Sequence, residues 1–360
     1  MERILANRIY LDHAATTPMT ATAREAVARG QALWANPSSP HAEGRAARAA
    51  LEAARRDVAA AYGWRGETLL TSGASESLSI ALGRSVMARR LISAVEHDAV
   101  IRAAGDAAML PVDGDGLVAL AALERSLGDG GPALVCVQWA NSETGVRQPL
   151  DAISAIVRAA GGLLLVDAAQ MPAGAGLAKV ADFVVLSAHK RGGPPGIGAL
   201  LVRDLATLIP SGGQERGYRP GTENLPGALG YAAALVEPED VARLAALRAR
   251  LDDGIARSGG EIVAAGAPRH PAIGSYRLPG VASAAQLILL DGAGFAVSAG
   301  SACSSGSMKP SHVLAAMGWG EAAMREVIRV SFGRSTSEAE VDAFVAGWRA
   351  MARTTRRSAA

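Results

Sequence analysis

Three polar side chains stand at the ends of three apolar runs. ADFVVLS leads into His189 and Lys190, GGLLLV ends in Asp167, and LISAV ends in Glu96 and His97. A lysine at the end of a buried strand is costly unless it is paired or covalently used. As a Schiff base with an aldehyde it sheds that cost, and desolvation draws its pKa down toward that of a useful base. A carboxylate at Asp167 could keep a pyridinium nitrogen protonated, the condition for an electron-sink cofactor. The flat imidazole of His97 could stack on such a ring. Each residue also has a plainer reading: Lys190 opens a surface loop, Asp167 caps a helix, His97 is structural. It is their common placement that points to chemistry.

A fourth segment, LLTSGASESLSIAL, reads as strand, small-residue turn and helix. The amides of Gly73, Ala74 and Ser75 then sit at a helix N-terminus, where dipole and free donors favour an anion such as a phosphate. Thr71, Ser72 and Ser75 would equally serve as caps. No Walker lysine follows these glycines and GGPPGIG (192–198) does not fit GxGxxG, which argues against a nucleotide P-loop and a dinucleotide fingerprint. Cys303 is set in SAGSACSSGS, among glycines and serines that offer it no core. Cys136, in PALVCVQW, reads as a small buried core residue with no chemistry.

The elements that must position these residues alternate from about 66 to 205. Short apolar runs are separated by Ala-rich stretches of helical spacing, such as ESLSIALGRSVMARR and LDAISAIVRAAG. Continuous apolar runs joined by helices indicate an α/β fold, with strands buried on both faces of a mostly parallel sheet. Ligands bind such sheets outside the carboxyl ends of their strands. After the Gly-rich SGGQERGYRPGTEN, residues 227–257 read as one or two helices leading to a smaller domain. There EIVAAG, AAQLILLDG and VIRVSFGR read as strands, and PSHVLAAMG and EAEVDAFVAGWRAMAR as helices. The expected division is an N-terminal segment (1–15) associated with the small domain and the active site, a large domain with its connecting helix (16–257), a small domain (258–352) and a basic tail (353–360).

Composition narrows the class. Of 360 residues 49% are hydrophobic, enough for sizeable cores, and the formal net charge of +2 is too small to make nucleic acid the main partner. No apolar run is long enough to span a bilayer, and the first residues reach charges and turn formers too early for a signal peptide. Two cysteines cannot frame a disulfide scaffold, and the scattered histidines show no metal-ligand pairing. The expectation is a cytoplasmic protein without a metal site and without a nucleic-acid or membrane partner.

Taken together, the segments resemble pyridoxal-phosphate enzymes of fold type I in the class V aminotransferase group, and more narrowly the cysteine desulfurases. The matching stretches run almost end to end: YLDHAATTP (10–18), NPSSPHAEGRAAR (36–48), TSGASES (71–77), EHDAV (96–100), ANSETGVRQP (140–149), VDAAQ (166–170), SAHK (187–190), GGQERGYRPGTEN (212–224), SAGSACSSGS (298–307) and IRVSFGR (328–334). The resemblance implies a large domain on a mostly parallel, seven-stranded-type sheet, a smaller α+β C-terminal domain, and pyridoxal 5'-phosphate as cofactor. It implies Lys190 as the Schiff-base lysine, Asp167 at the pyridinium nitrogen, His97 stacked on the ring and Gln170 near the phenolic oxygen. Gly73, Ala74, Ser75, Ser187 and His189 would hold the phosphate. Thr222 would reach the phosphate of a neighbouring subunit, making a homodimer with composite sites. Arg329 would grip the substrate carboxylate, with Asn36 and His13 near the substrate.

The implied reaction takes sulfur from L-cysteine onto Cys303 as a persulfide, leaves L-alanine, and passes the sulfur to an acceptor protein such as an iron–sulfur scaffold. The long SAGSACSSGS segment resembles the housekeeping and nitrogen-fixation type. The sequence also departs from the pattern. Ser142 stands where the family has a second, cofactor-contacting asparagine, RGGPPG follows Lys190, and Ser211 precedes GGQERG. The short C-terminus puts docking to a scaffold in doubt. Alternatives are a selenocysteine lyase, an aminotransferase or a carbon–sulfur β-lyase of the same fold, or a catalytically silent accessory protein. Cys303 argues against plain transamination, and the presence of both Lys190 and Cys303 argues against silence.

Overall fold

The structure is a computed structural model that describes residues 8–174, 176–299 and 310–359, with side chains to Thr354. The N-terminal strand β1 (Ile9–Tyr10) precedes seven that build the central sheet. These are β2 (Glu67–Thr71), β3 (Arg90–Ser93), β4 (Ala108–Leu110), β5 (Leu134–Gln138), β6 (Leu163–Asp167), β7 (Phe183–Ser187) and β8 (Gly198–Val202). Their order is β2-β8-β7-β6-β5-β3-β4. Only β8 runs against its neighbours; the other pairs are parallel.

Alternation along each strand divides the side chains between two cores. Val135, Val137, Val166, Val184 and Leu201 enter one, while Leu134, Cys136, Leu165, Val185 and Leu200 enter the other. Both faces are covered, which is why the strands read as unbroken apolar runs. Cys136 is 0% exposed in the second core, as expected of a packing residue.

A buried ion pair fastens a loop to this sheet. Arg55, on the helix Ala42–Ala61, donates through both terminal nitrogens to the Glu215 carboxylate, with Nη2 3.0 Å from Oε1. Arg55 Nη1 also donates to the Thr68 carbonyl (2.8 Å), and Glu215 Oε2 accepts the Leu70 amide (2.8 Å). Glu215 and Arg216 have φ of 47° and 59°, conformations that side chains adopt only when their surroundings over-determine them. The four bonds made by this pair provide that constraint, and they hold residues 211–224 against β2.

Four more strands follow: β9 (Glu261–Ile262), β10 (Ile273–Arg277), β11 (Phe295–Ala296) and β12 (Val327–Ser331). β12, β10 and β9 form an antiparallel sheet, and β1 pairs in parallel with β11. Bridges Asp12–Ser331 and Ser298–Arg329 join that pair to β12. Leu11, Tyr276, Ile328, Phe344 and Trp348 centre a separate core. The connector is two helices with different allegiances. Leu225–Val236 packs on Ala21–Ala32 and Ala42–Ala61 beside the large sheet, whereas Leu244, Leu247, Leu251 and Ile255 of Val241–Ala256 enter the core of the small one.

One element differs from expectation. AAQLILLDG is not a strand but part of the helix Ser283–Gly292. Only Ser283, Gln286 and Leu290 are buried, a spacing of three and four, while Ile288 and Leu289 of the apolar run are exposed. Conversely β10, with the sequence IGSYR, is a central strand of its sheet that no apolar run announces. Among the described residues no helix is long and apolar enough to cross a membrane.

Replacing Arg55 with alanine leaves the Glu215 carboxylate buried without its cation. We expect a loss of about 3–5 kcal/mol, typical of breaking a buried pair from one side, read as a lower urea midpoint, with Arg55→Lys retaining part of it.

Candidate functional site

A cavity of about 380 Å³ opens at the carboxyl ends of β2, β5, β6 and β7, within the size range of small-ligand sites. Its wall includes Gly73, Ala74 and Ser75 on one side, His97, Asp167 and Gln170 at the back, and Ser187, His189 and Lys190 opposite. Ser142 and Arg329 complete the set. Eleven residues named from sequence thus share one space.

The anion side is the start of the helix Ala74–Arg84. Its N-cap is Gly73, with φ 150° and no side-chain cap, so the first amides are left to a ligand. A Cβ on Gly198 would fall 2.7 Å from the Gly73 Cα, so β8 passes this turn only as glycine. Glu76, also on the wall, is held by Arg219 (Nε 3.0 Å from each oxygen).

His97 is the N-cap of the helix Asp98–Ala104, its Nδ1 accepting the Ala99 amide at 3.1 Å. That bond assigns the ring proton to Nε2. Burial, and next the Lys190 ammonium, press the imidazole below its ordinary pKa against the opposing pull of Asp167, so it is neutral at physiological pH. Asp167 ends β6 8% exposed, and its Oδ1 accepts the Ala169 amide (2.9 Å). It therefore caps a turn, not the helix its plainer reading expected, while also lining the cavity. Lys190 closes the short 3-10 turn Ala188–Lys190 directly after β7. His189 Nδ1 lies 3.1 Å from Thr16 Oγ1, and burial together with Lys190 lowers its pKa to about 4.

Gln170 is held from two sides. Its Nε2 donates to the Ala14 carbonyl (3.0 Å), and its own carbonyl meets His270 Nε2 (2.9 Å). His270 is 2% exposed and stands edge-on to Trp139, and its Nδ1 accepts the Ala272 amide, so the donor to Gln170 is Nε2–H. Gln170 Oε1 is buried without a partner among the described residues.

Arg329, on β12, reaches the wall with a side chain 3% exposed. Nη1 donates to the Ser142 carbonyl (2.9 Å) and Nη2 to Asp12 Oδ1 (2.7 Å). The neighbouring Asn141 does not line the cavity. Its Nδ2 donates to the Val95 carbonyl, and its Oδ1 accepts the amides of Glu143 and Thr144.

Three residues named from sequence lie elsewhere. Thr222 is exposed and outside the cavity of its own chain. Asn36 is exposed, with Oδ1 accepting the Ser38 amide. His13 is buried but does not line the cavity; its ring packs on Gly333 and edge-on to Tyr10. Cys303 lies outside the described residues. Sequence reasoning gave no role to Asp12, Glu76 or Gln138, which the fold brings to the wall or to its guanidinium. Gln138 had a usable signal, since it ends the apolar run ALVCV as Asp167 ends its own; the partners of Asp12 and Glu76 are too distant in sequence to announce them.

The site thus offers an amine, a carboxylate, a neutral imidazole, an anion-binding helix start and a buried guanidinium around a ligand-sized space. The family model for aminotransferase class-V matches residues 9–344. The IscS-like cysteine desulfurase of Mycobacterium tuberculosis is 38% identical over 368 residues, 93% of each chain. A cysteine desulfurase of Cereibacter sphaeroides is also 38% identical, over 366 residues and 93% of each chain. Among solved structures, a NifS-like protein from Rickettsia africae superposes with a TM-score of 0.86 at 28% identity, covering 96% of this chain and 99% of that one. A protein described as SspA in complex with cysteine superposes with 0.78 at 27% identity, covering 91% and 99%.

Burial also lowers the pKa of His13 to about 4 and of His270 to about 3, from an ordinary 6.5. The unfolded chain therefore takes up protons as pH falls through about 6.5, while the folded chain does not until far lower, and stability present above 6.5 is lost on acidification. For His270 the slope is up to about 1.4 kcal/mol per pH unit. In urea titrations of the apoprotein, His270→Asn should show a shallower loss between pH 6.5 and 4 than wild type, whatever its stability at neutral pH.

Proposed function

The chain belongs to the aminotransferase class-V family and has cysteine desulfurase function, and from that premise we propose how its residues divide the work. L-Cysteine enters the cavity at the ends of β5, β6 and β7, its sulfur passes to Cys303, and L-alanine leaves. One observation carries this reading: a single cavity collects Lys190, Asp167, His97, the helix start at Gly73 and the guanidinium of Arg329. An α-amino acid held on pyridoxal phosphate calls for that set.

The residues fit this cofactor. The uncapped amides after Gly73, with the hydroxyls of Ser75 and Ser187 and the His189 ring, suit its phosphate. Asp167 suits its ring nitrogen, and the unpartnered Gln170 Oε1 is an acceptor that a ring hydroxyl satisfies. Lys190 would hold it covalently. When bound, pyridoxal phosphate supplies an electron sink for negative charge at the substrate Cα.

The chain's own groups do the rest. Asp167 would keep a proton at the ring nitrogen, and His97, kept neutral by burial and by Lys190, would offer its flat imidazole to the ring. Lys190 Nζ moves the proton at the substrate Cα. Arg329 binds the α-carboxylate as a planar donor. Cys303, as thiolate, attacks the substrate sulfur. An S–S bond forms as the Cβ–S bond breaks, the electron pair stays on the carbon skeleton, and protonation there gives alanine. We extend the proposal to a homodimer in which Thr222, on the loop fixed by Arg55 and Glu215, serves the partner's phosphate site. The persulfide is then passed to an acceptor protein, such as an iron–sulfur scaffold, in the cytoplasm.

Only three lysines occur in the chain, Lys179, Lys190 and Lys309. Borohydride reduction of the yellow holoprotein followed by peptide mass spectrometry should find the pyridoxyl group on Lys190 alone, and Lys190→Ala should fold but stay without the visible band. A label on either other lysine would remove the assignment. Cys303→Ala should lose the persulfide and reduce alanine release from L-cysteine to background; release at the wild-type rate would overturn the sulfur-transfer step. Pyruvate in place of alanine would mark a β-lyase, and amino transfer to a keto acid an aminotransferase.

A further inference from the structure

The guanidinium of Arg329 is already engaged from two sides. Its Nη1 is fixed by a backbone carbonyl in the turn after β5, and its Nη2 by the Asp12 carboxylate from the N-terminal segment. Arg329 Nε is buried and has no partner among the described residues, although the residue lines the cavity. The backbone carrying Asp12 is tied to the strand carrying Arg329. Ser331 donates its amide to the Leu11 carbonyl (2.8 Å), Ala14 donates to Ser331 Oγ (2.8 Å), and Asp12 bridges Ser331. The Tyr10 hydroxyl lies between the carbonyls of Thr16 (2.8 Å) and Asp12 (3.1 Å). Asp12 therefore has little freedom to follow a guanidinium that moves; the guanidinium must take its place from Asp12.

We infer that Asp12 is a positioning residue for substrate recognition, holding Arg329 so that its Nε edge is presented to the carboxylate of the amino-acid substrate. The inference rests on the reading of Arg329 as the carboxylate-binding residue. A buried guanidinium without a counter-charge is costly, and Asp12 supplies one while no substrate is bound. With both terminal nitrogens restrained, Nε–H and the second N–H of Nη2 form the remaining edge, the fork that matches a carboxylate with two parallel bonds. Because Asp12 already offsets the cation, a ligand is held by that geometry more than by net charge. A thiol compound with an amine and no carboxylate gains nothing from the arrangement.

The test uses two thiols that each keep half of the substrate. 3-Mercaptopropionate has the carboxylate and no amine; cysteamine has the amine and no carboxylate. Their Kd values for the holoenzyme are measured by calorimetry for wild type, Asp12→Ala, Asp12→Asn and Arg329→Ala. Asp12→Ala should weaken 3-mercaptopropionate by about tenfold to a hundredfold, the worth of a charge-assisted hydrogen bond, and leave cysteamine unchanged. Its KM for L-cysteine should rise while kcat changes less. Asp12→Asn keeps an acceptor oxygen but not its charge, so it should show a smaller loss of the same sign; it decides the matter should Asp12→Ala fail to fold. A general structural role would weaken both ligands alike and overturn the proposal. So would an unchanged ratio of the two Kd values in both Asp12 variants while Arg329→Ala shifts it. An unchanged ratio in Arg329→Ala would instead remove the reading of Arg329 itself.

Discussion

Everything in this molecule depends on gathering opposed charges at the carboxyl ends of buried strands without leaving any of them uncompensated. The register of the central sheet sets Gln138 opposite Asp167 and Asp167 opposite Val185, so β5 and β6 end at one level and β7 runs two residues past them to Ser187. A slip of one residue in β6 would turn Asp167 toward the other core and Val166 toward its place. The groups then tune one another. Lys190 and Asp167 pull the His97 imidazole in opposite directions, and burial decides for the neutral ring. Glu96, fully buried, has its carboxyl pushed well above the usual carboxylate range by burial and by Asp167, and its Oε1 accepts the Gln138 amide.

Holding that arrangement is the task of the small sheet and the N-terminal segment. His270 fixes the Gln170 carbonyl, Ala14 fixes its amide, and Arg329 crosses to the Ser142 carbonyl. Ser298 exchanges backbone bonds with Arg329 (2.6 and 3.3 Å). Ser311 donates to the Glu143 carboxylate (2.6 Å), and His312 Nε2 meets the Glu96 carbonyl (2.8 Å). The stretch that contains Cys303 thus leaves and rejoins the described fold beside Arg329 on one side and beside Glu96 and Glu143 on the other. Both attachments lie next to residues of the cavity wall.

What was legible in the sequence was local. Apolar runs ending in Asp167, His97 and Lys190 announced strands and their ends, and the small-residue turn at Gly73 announced the helix start. Periodicity alone could not separate a four-residue apolar run in a strand from one in a helix, which is why Ser283–Gly292 was misread. β10 was missed for the opposite reason: Gly274, Ser275 and Arg277 break the apolar pattern, although Tyr276 is fully buried. The ion pairs Arg55–Glu215 and Asp12–Arg329 join residues 160 and 317 positions apart. Composition and spacing carry no signal across such distances; only the closed fold creates those neighbours.

The departure at Ser142 shows how a site can lose a family side chain and keep its frame. Of the two positions that carry asparagine in the pattern this chain resembles, the structure gives each a different task. Asn141 locks the turn after β5, with Oδ1 accepting two amides and the Thr144 hydroxyl while Nδ2 reaches Val95. A serine there would have no Nδ2 to reach Val95 and only one, shorter oxygen for the amides. Ser142 instead contributes its backbone carbonyl to Arg329 and lines the wall. Replacing asparagine by serine at 142 therefore changes what touches a ligand, without changing where the turn, or the guanidinium it anchors, is placed. The same exchange one residue earlier would remove the Nδ2 donor to the Val95 carbonyl and shorten the acceptor that serves the amides of Glu143 and Thr144, a loss that falls on the fold before it reaches the chemistry.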